Sequence, residues 1–425
     1  MKLLGGAALL LSTAAVASRA ELRTPPGSGL PVPVASSDDA PPYRDELVSL
    51  HKSLVEIASV TYSENEVGNF LVDYLTKRDF TAKLEFLPPS STPDGAGDKK
   101  PRFNVVAWPG SERRRRPSPK VLVTSHIDTV PPHIPYSRSD GDEPPNGETV
   151  IRGRGSVDAK ASVAAQITAV SELLAAGRVD AGDVMLLFVV GEERTGDGMR
   201  HFSDAAAASP GPLGFRAAIF GEPTEGKLAC GHKGFFGCTI TARGKAGHSG
   251  YPWLGKSATE VLIRGLVKVL DADLGSSERF GNTTVNVGTI EGGVALNVIP
   301  EVAVARIAGR VAIGPELDGG RIVTGRVEDV LRSVDAEAFE TVCNNGYGVV
   351  ECACDVPDFE TITVNYGTDV ANLKGDHARY LYGPGSILVA HGANEAIKLK
   401  DLEAGVEGYK KLILHVVADE EVKEL

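Results

Sequence analysis

Short apolar runs separated by helical patterns constrain the fold of this chain more than any other feature of its sequence. The runs are 121–125 (VLVTS), 184–190 (VMLLFVV), 217–220 (AAIF) and 386–390 (SILVA). Between the first two, apolar residues recur at 3.6-residue spacing from Lys160 to Ala176, which is typical of a helix. Apolar strands that alternate with helices belong to parallel sheets with both faces covered. We therefore predict an α/β domain with a mostly parallel sheet and helices on both faces.

A different pattern interrupts this domain. Strand and helix signals follow one another in the order β-α-β-β-α-β, and the segment YGVVECAC is the last predicted strand. This is the order of the split βαβ, ferredoxin-like motif. We expect residues 235–353 to form a small inserted domain of this type. The α/β domain would then consist of residues 44–234 and 354–425.

The N-terminus has the pattern of an export signal. Lys2 precedes an apolar run from Leu3 to Val16, and small residues suited to cleavage follow. A buried N-terminal helix is the alternative, and the run is too short for a comfortable membrane span. We therefore expect residues 1–20 to be a signal peptide and the protein to be secreted and extracellular. Residues 21–43 are rich in Pro, Ser and Gly, and we expect them to lack regular structure.

The bulk properties exclude some partners and fit export. The net charge of the 425-residue chain is −12, so we expect neither nucleic acid nor a membrane as a partner. Asn282 begins an acceptor sequence for N-linked glycosylation. An odd number of cysteines leaves at least one thiol unpaired in a monomer, and their connectivity stays open. The cysteines are Cys230, Cys238, Cys343, Cys352 and Cys354.

Residues that bind metal or transfer protons follow each of the four apolar runs. In chain order they are His126 and Asp128, Glu192 and Glu193, Glu222, and His391. Asp158 stands just before the predicted helix at Lys160. In an open α/β sheet the carboxyl ends of the strands border one crevice, so we expect these side chains to meet. Each one alone has an ordinary explanation. Asp158 could be a helix cap, and His391 could be a structural histidine.

The residue types match a dinuclear zinc centre. Two zinc ions about 3.5–4 Å apart need a bridging carboxylate and further ligands for each ion. Asp158 suits the bridge. The remaining ligands form two pairs, His126 with Glu222 for one ion and Glu193 with His391 for the other. Asp128 would orient the first histidine. Glu192 is left free beside the ions, as a general base for hydrolysis requires.

The segments that carry these residues resemble the co-catalytic zinc aminoacylase and carboxypeptidase family, which includes acetylornithine deacetylase, succinyl-diaminopimelate desuccinylase and glutamate carboxypeptidase. The matching segments are SHIDTVPP, GRGSVDAKA, GEERTG, GEPTEG, GKAGHSG, ALNVIPE and GPG…AHGANE. They occur in the order found in that family. The resemblance implies two Zn²⁺ per subunit, the ligand set above and Glu192 as acid and base. It also implies that the inserted domain is a lid or dimerisation domain, which allows a homodimer.

The resemblance implies further site residues in the lid. His248 resembles the histidine that polarises the scissile carbonyl, often across a dimer. Asn297 and Arg310 resemble residues that hold the free carboxylate of the substrate. A guanidinium binds a carboxylate through two hydrogen bonds, which makes this role physically sensible for Arg310. Arg306 is a nearby competitor for it.

We therefore expect a secreted di-zinc hydrolase that cleaves the amide bond of peptides or acyl-amino acids with a free carboxylate. Glu192 would take a proton from the attacking water and deliver it to the leaving amine. Secretion favours a carboxypeptidase. An N-acyl-amino-acid deacylase with the same site is the alternative. A non-catalytic binding protein is a remote third, because it would be expected to have lost a site residue.

Overall fold

A computed structural model of the chain describes residues 40–89, 101–111, 119–208 and 214–418. The predicted signal peptide and most of the segment 21–43 lie outside these residues. From Ala40 onward the chain forms one compact unit. Within the described ranges, no helix combines the length and the apolar character needed to cross a bilayer.

The helices and strands alternate along much of the chain. The described helices are α1 (Arg44–Glu56), α2 (Asn65–Thr76), α3 (Lys160–Ala175), α4 (Asp197–Ala208), α5 (Ala258–Asp271), α6 (Gly319–Val334) and α7 (Leu399–Ala418). The described strands are β1 (Phe80–Phe86), β2 (Phe103–Pro109), β3 (Val121–His126), β4 (Ser137–Arg138), β5 (Val150–Arg152), β6 (Val184–Val189), β7 (Ala217–Gly221), β8 (Leu228–His232), β9 (Gly234–Arg243), β10 (Gly247–His248), β11 (Ser276–Ser277), β12 (Gly281–Asn282), β13 (Thr284–Gly292), β14 (Val298–Ile299), β15 (Val302–Val311), β16 (Phe339–Cys343), β17 (Val350–Glu351), β18 (Thr361–Val364), β19 (Ala378–Tyr382) and β20 (Ala396–Lys398).

The main sheet has the order β1-β2-β6-β3-β7-β19-β8-β17, and β18 pairs with β8. Its four central strands, β6, β3, β7 and β19, run parallel, whereas β1, β2 and β17 pair antiparallel with their neighbours. Successive residues of β3 face different cores. Val121 and Val123 pack with α1, α3 and α7, and Leu122 packs with α4 on the other face. The predicted parallel sheet with helices on both faces is confirmed.

One predicted strand is wrong. The segment 386–390 contains a short 3₁₀ helix, Ile387–Val389, and the side chain of Leu388 is 85% exposed. Gly385, with φ +78°, turns the chain immediately before this segment. The fourth parallel strand is β19 instead, which aligns with β7 over its whole length. Because β19 contains the charged residue Arg379, its sequence is not a continuous apolar run and does not predict a buried strand.

The inserted domain is a separate four-stranded antiparallel sheet with the order β13-β15-β9-β16, and α5 and α6 pack on it. The β-α-β-β-α-β order is as predicted, but its last strand is β16 and not the YGVVECAC segment. In that segment, Val350 and Glu351 pair with β8 in the main sheet. The strand β16 alternates half-buried and exposed residues, so its sequence signal is weak.

Two disulfides lie on either side of the passage between the two sheets. Cys230–Cys354 joins β8 to the chain that returns from the lid, and Cys238–Cys343 joins β9 to β16 within the lid. Cys352 is a buried free thiol, which is the unpaired cysteine expected from the odd count. The chain passes from the main sheet into the lid after β8 and returns after β16. One disulfide joins these two connections on the main-sheet side, and the other joins them on the lid side.

Candidate metal centre

The carboxyl edge of the central strands brings the predicted ligands together. His126 is the last residue of β3, and Glu222 directly follows β7. Glu192 and Glu193 follow β6 after a turn at Gly191, which has φ +80°. Asp158 lies in the turn just before α3. These positions agree with the rule that ligands of an open α/β sheet lie at the carboxyl ends of its strands.

Asp158 lies between the two histidines. Its Oδ1 is 2.9 Å from His126 Nε2, and its Oδ2 is 3.2 Å from His391 Nε2. Each imidazole also faces a second carboxylate. His391 Nε2 is 3.0 Å from Glu193 Oε2, and His126 Nε2 is 3.8 Å from Glu222 Oε1. Ligand atoms that share a zinc ion lie roughly 3–4 Å apart, because each zinc–ligand bond is about 2 Å. The arrangement therefore fits two neighbouring cations bridged by Asp158.

The position of Glu192 allows more than one role. Its carboxylate groups with His126 and Glu222, and their ligand atoms all lie within 4.8 Å of one another. A second group of this kind contains His126, Asp158 and Glu193. Glu192 thus faces the space between the ligands, where either a base or a further ligand can act.

Local hydrogen bonds fix the tautomer of His126. Its Nδ1 donates to the backbone carbonyl of Asp128 at 2.9 Å, so in the neutral ring Nε2 would carry the lone pair that a metal ion requires. The side chain of Asp128 has a different set of partners. It accepts hydrogen bonds from the Thr61 hydroxyl at 2.7 Å and from the backbone N–H groups of Glu192 and Glu193 at 3.1 and 3.3 Å. Asp128 therefore holds the acidic pair in place as well as its own histidine.

The charges of the cluster call for cations. Burial, followed by repulsion from neighbouring carboxylates, raises the pKa of Glu192, and burial likewise raises the pKa of Glu193 and Glu222. Glu193 Oε1 is buried and has no hydrogen-bond partner among the described residues. Burying a carboxylate oxygen costs folding free energy unless the oxygen is paired with a donor or coordinates a metal. The residues present therefore fit a pair of divalent metal ions.

His391 differs from His126 in its surroundings. The side chain of His391 is 52% exposed, whereas that of His126 is 1% exposed. Hydrogen bonds to Asp158 and Glu193 raise the pKa of His391 to about 10. Burial alone would raise the pKa of Asp158, but the bonds from both histidines outweigh it and hold that pKa below its usual range. The bridging position is thus anionic and suited to a metal.

The three lid residues lie apart from the cluster or at its margin. His248 is exposed, accepts a hydrogen bond from the Gly250 N–H at 3.0 Å and packs on Tyr251. Exposed Asn297 accepts one from the Ser249 N–H at 3.0 Å, beside His248. No hydrogen bond or ion pair joins either side chain to the cluster within the ranges described. Arg310 lies over the ring of Phe235 at the root of the lid, 5.5 Å from its centroid.

The family is decided by comparison with known proteins. A family model described as Peptidase family M20/M25/M40 matches residues 122–415, more than half of the chain. The chain belongs to this peptidase family. It is therefore a metal-dependent hydrolase that acts on peptide bonds. The early resemblance to the zinc aminoacylase and carboxypeptidase family is confirmed at this level.

Individual relatives agree with the family match. A Sordaria macrospora protein described as a peptidase M20 domain-containing protein is 57% identical over 399 residues, covering 91% of this chain and 88% of that protein. An Aspergillus flavus protein described as a probable carboxypeptidase is 44% identical over 413 residues, covering 91% and 93%. A solved Staphylococcus aureus tripeptidase covers 88% of this chain and 99% of its own, with a TM-score of 0.69 at 20% identity. The last similarity shows a shared fold.

Sequence reasoning missed Tyr347, which the fold of this M20 peptidase brings beside Arg310. Tyr347 follows the last lid strand and packs edge-on against His232. A β-carbon at Gly367 would lie 2.3 Å from Tyr347 Oη and 3.4 Å from Arg310 Nη1, so the two groups share one small space. Burial, and after it the charge of Glu192, raises the pKa of Tyr347. A lone tyrosine between glycines gives no signal of such a place in the sequence.

Proposed function

We propose that this M20 peptidase is a secreted di-zinc carboxypeptidase that removes residues from the free carboxyl end of peptides. The observation that carries the proposal is the position of Asp158, whose two oxygens each face a histidine that also faces a second carboxylate. His126 and Glu222 would hold one zinc ion, and Glu193 and His391 the other, with Asp158 between them.

Glu192 is the proposed general base and acid. Zinc ions bound here would supply an acidified water and polarise the scissile carbonyl. The backbone of Glu192 is held by Asp128, while its carboxylate has no hydrogen-bond partner in the described part of the chain. That carboxylate is free to accept a proton from the attacking water and pass it to the nitrogen of the leaving amine. Burial favours this exchange, because it raises the pKa of the glutamate toward that of a useful acid.

Recognition of the substrate carboxylate is assigned to Arg310, with Asn297 of the lid. The surroundings of the two arginines favour Arg310 over Arg306 for this role. Arg306 is already paired with Glu291 at 2.9 Å. Arg310 lies beside Gly367 and Tyr347, near the passage to the main sheet. A guanidinium at this place can bind a carboxylate while Glu192 acts on the adjacent amide bond.

We assign His248 to the stabilisation of the oxyanion that forms from the scissile carbonyl in the active site of the other subunit of a homodimer. The imidazole of His248 is exposed and, among the described residues, has no hydrogen bond or ion pair to the cluster of its own chain, which supports such a role. The lid helix α5 also exposes Ile263, Val267 and Leu270 on one face. Exposed apolar faces of this kind are typical of protein contacts. The proposed dimer would cover this face.

Secretion is supported by the N-terminal pattern and by the two disulfides, which are rare in the cytosol. Asn282 is exposed, as a glycosylation site requires. The carboxypeptidase description of the Aspergillus relative supports the choice of substrate. An extracellular location favours peptide scavenging over a biosynthetic deacylation.

A substrate comparison tests the proposed function. The purified protein is given a peptide, the same peptide with a C-terminal amide, and an N-acetyl amino acid, each with and without a chelator. We expect stepwise loss of C-terminal residues from the free peptide, read by mass, with little cleavage of the amide. Chelation should stop the reaction and zinc should restore it. Faster hydrolysis of the N-acetyl amino acid would instead favour the deacylase.

Removing the guanidinium of Arg310 is expected to weaken substrate binding. Hydrogen bonds to a charged group are worth roughly 1.5–3 kcal/mol, so Arg310→Ala should raise KM about 10- to 100-fold. Turnover at saturation should change much less. Arg306→Ala on the same strand is the matched control and should leave both constants near wild type. An equal effect of the two substitutions would contradict the assignment.

A further inference from the structure

A buried ion pair joins the two loops that carry Asp158 and His391. Arg154 Nη1 lies 2.6 Å from Glu395 Oε2, and both residues are only 2% exposed. Arg154 follows β5 and Glu395 precedes β20, and these two strands pair antiparallel. The pair is therefore built into the base of both loops. Its hydrogen bonds to these loops go to backbone groups, and among the described residues none goes to the imidazole of His391 or the carboxylate of Asp158.

Glu395 fixes the backbone of the proposed bridge. Its second oxygen, Oε1, accepts hydrogen bonds from the N–H groups of Val157 and Asp158 at 3.0 and 3.2 Å. Both carboxylate oxygens of Glu395 are thus occupied, one by the guanidinium and one by the turn that precedes α3. Glu395 therefore fixes the backbone position from which the Asp158 side chain extends.

Arg154 fixes the backbone of the loop on the other side. Its Nη2 donates to the carbonyl of His391, and its Nη1 donates to that of Gly392, both at 3.2 Å. His391 has φ +63°, a left-handed conformation that is unfavourable for a residue with a side chain. Residues 391–394 are all exposed, so little packing holds this loop. The two bonds from Arg154 hold the backbone of this loop to the interior, beside the contacts that the His391 imidazole makes with Asp158 and Glu193.

The two proposed metal positions therefore rest on different supports. His126 ends a strand that pairs with neighbours on both sides, and Glu222 follows the next strand. His391 stands on an exposed loop tied down by Arg154. Loss of the ion pair should disturb the His391 side far more than the His126 side.

We propose that the Arg154–Glu395 pair is a positioning element that sets the affinity of the metal position formed by Asp158, Glu193 and His391. This inference rests on the dinuclear centre of the proposed function. Outer partners of metal ligands typically change metal affinity 10- to 100-fold when they are removed. The position at His126 and Glu222 should change less, because only its shared ligand Asp158 depends on Glu395, while His126 and Glu222 stand at the ends of paired strands.

Zinc titration of the chelator-stripped protein tests the inference, with binding followed by calorimetry. Wild type should bind two equivalents. Arg154→Lys and Glu395→Gln should bind one equivalent nearly as tightly as wild type does and the other about 10- to 100-fold less tightly. Turnover at low zinc should fall and should recover at saturating zinc, which a general loss of structure would not allow. Glu395→Gln preserves shape and carries the test alone if Arg154→Lys does not fold.

Arg44→Lys is the matched control, because Arg44 forms a partly buried pair with Glu403 at 2.5 Å between α1 and α7. It should leave both zinc affinities unchanged. Three outcomes would each overturn the positioning role of the Arg154–Glu395 pair. They are unaltered zinc binding in the Arg154 and Glu395 variants, equal weakening of both equivalents, and activity that zinc does not restore. Fewer than two equivalents in the wild type would instead overturn the dinuclear centre itself.

Discussion

Replacement of Asp158 by alanine is expected to remove zinc from both positions and to abolish hydrolysis. The carboxylate faces His126 through one oxygen and His391 through the other, and no other described residue forms an ion pair with both histidines. Loss of the ions removes several kcal/mol of transition-state stabilisation. That corresponds to a fall in turnover of roughly 10³-fold or more.

The measurement is metal content after dialysis, combined with turnover and thermal unfolding. Zinc that binds only the folded state raises the unfolding temperature of wild type, and it should not do so for Asp158→Ala. Asp204→Ala is a suitable control, since Asp204 is an exposed carboxylate paired with Lys374 at 2.7 Å. It should keep both ions and full activity. Two equivalents of zinc in the Asp158 variant would contradict its place as the bridge.

The core of the fold could be predicted because its signal is local. The strand β6 is apolar throughout, β3 begins with three apolar residues, and both are buried over their whole length. Short apolar runs between helices are typical of a parallel sheet with both faces covered. The ferredoxin-like lid was predicted from element order for the same reason. What failed was the assignment of short elements. In β16 half-buried residues alternate with exposed ones, and β19 contains an arginine. Both segments form strands because they pair with strands distant in sequence.

The cluster could be predicted because strand ends meet at one edge of a parallel sheet. That reasoning placed His126 and Glu222 correctly next to their strands. It placed His391 near the same edge for a partly wrong reason, since this histidine follows a 3₁₀ helix and begins an exposed loop. Its location depends on Arg154, which is 237 residues away. A contact of that range leaves no periodic trace in the sequence.

Replacement of Glu192 by glutamine is expected to stop hydrolysis while both ions stay bound. The amide has nearly the same shape but cannot accept the proton of the attacking water, and general base catalysis contributes about 10²- to 10⁴-fold to the rate. Turnover should fall by a factor in that range. The backbone N–H of residue 192 would still donate to Asp128, so the turn should keep its form.

The neighbouring glutamate provides the matched control. Glu193 lies 3.0 Å from His391 Nε2 and is assigned to a metal, so Glu193→Gln should lose affinity for one ion and recover part of its activity when zinc is raised. Glu192→Gln should show two bound equivalents and no recovery. Because Glu192 also groups with His126 and Glu222, the comparison separates a base from a ligand. Loss of zinc from Glu192→Gln, with two ions retained in Glu193→Gln, would exchange the two roles.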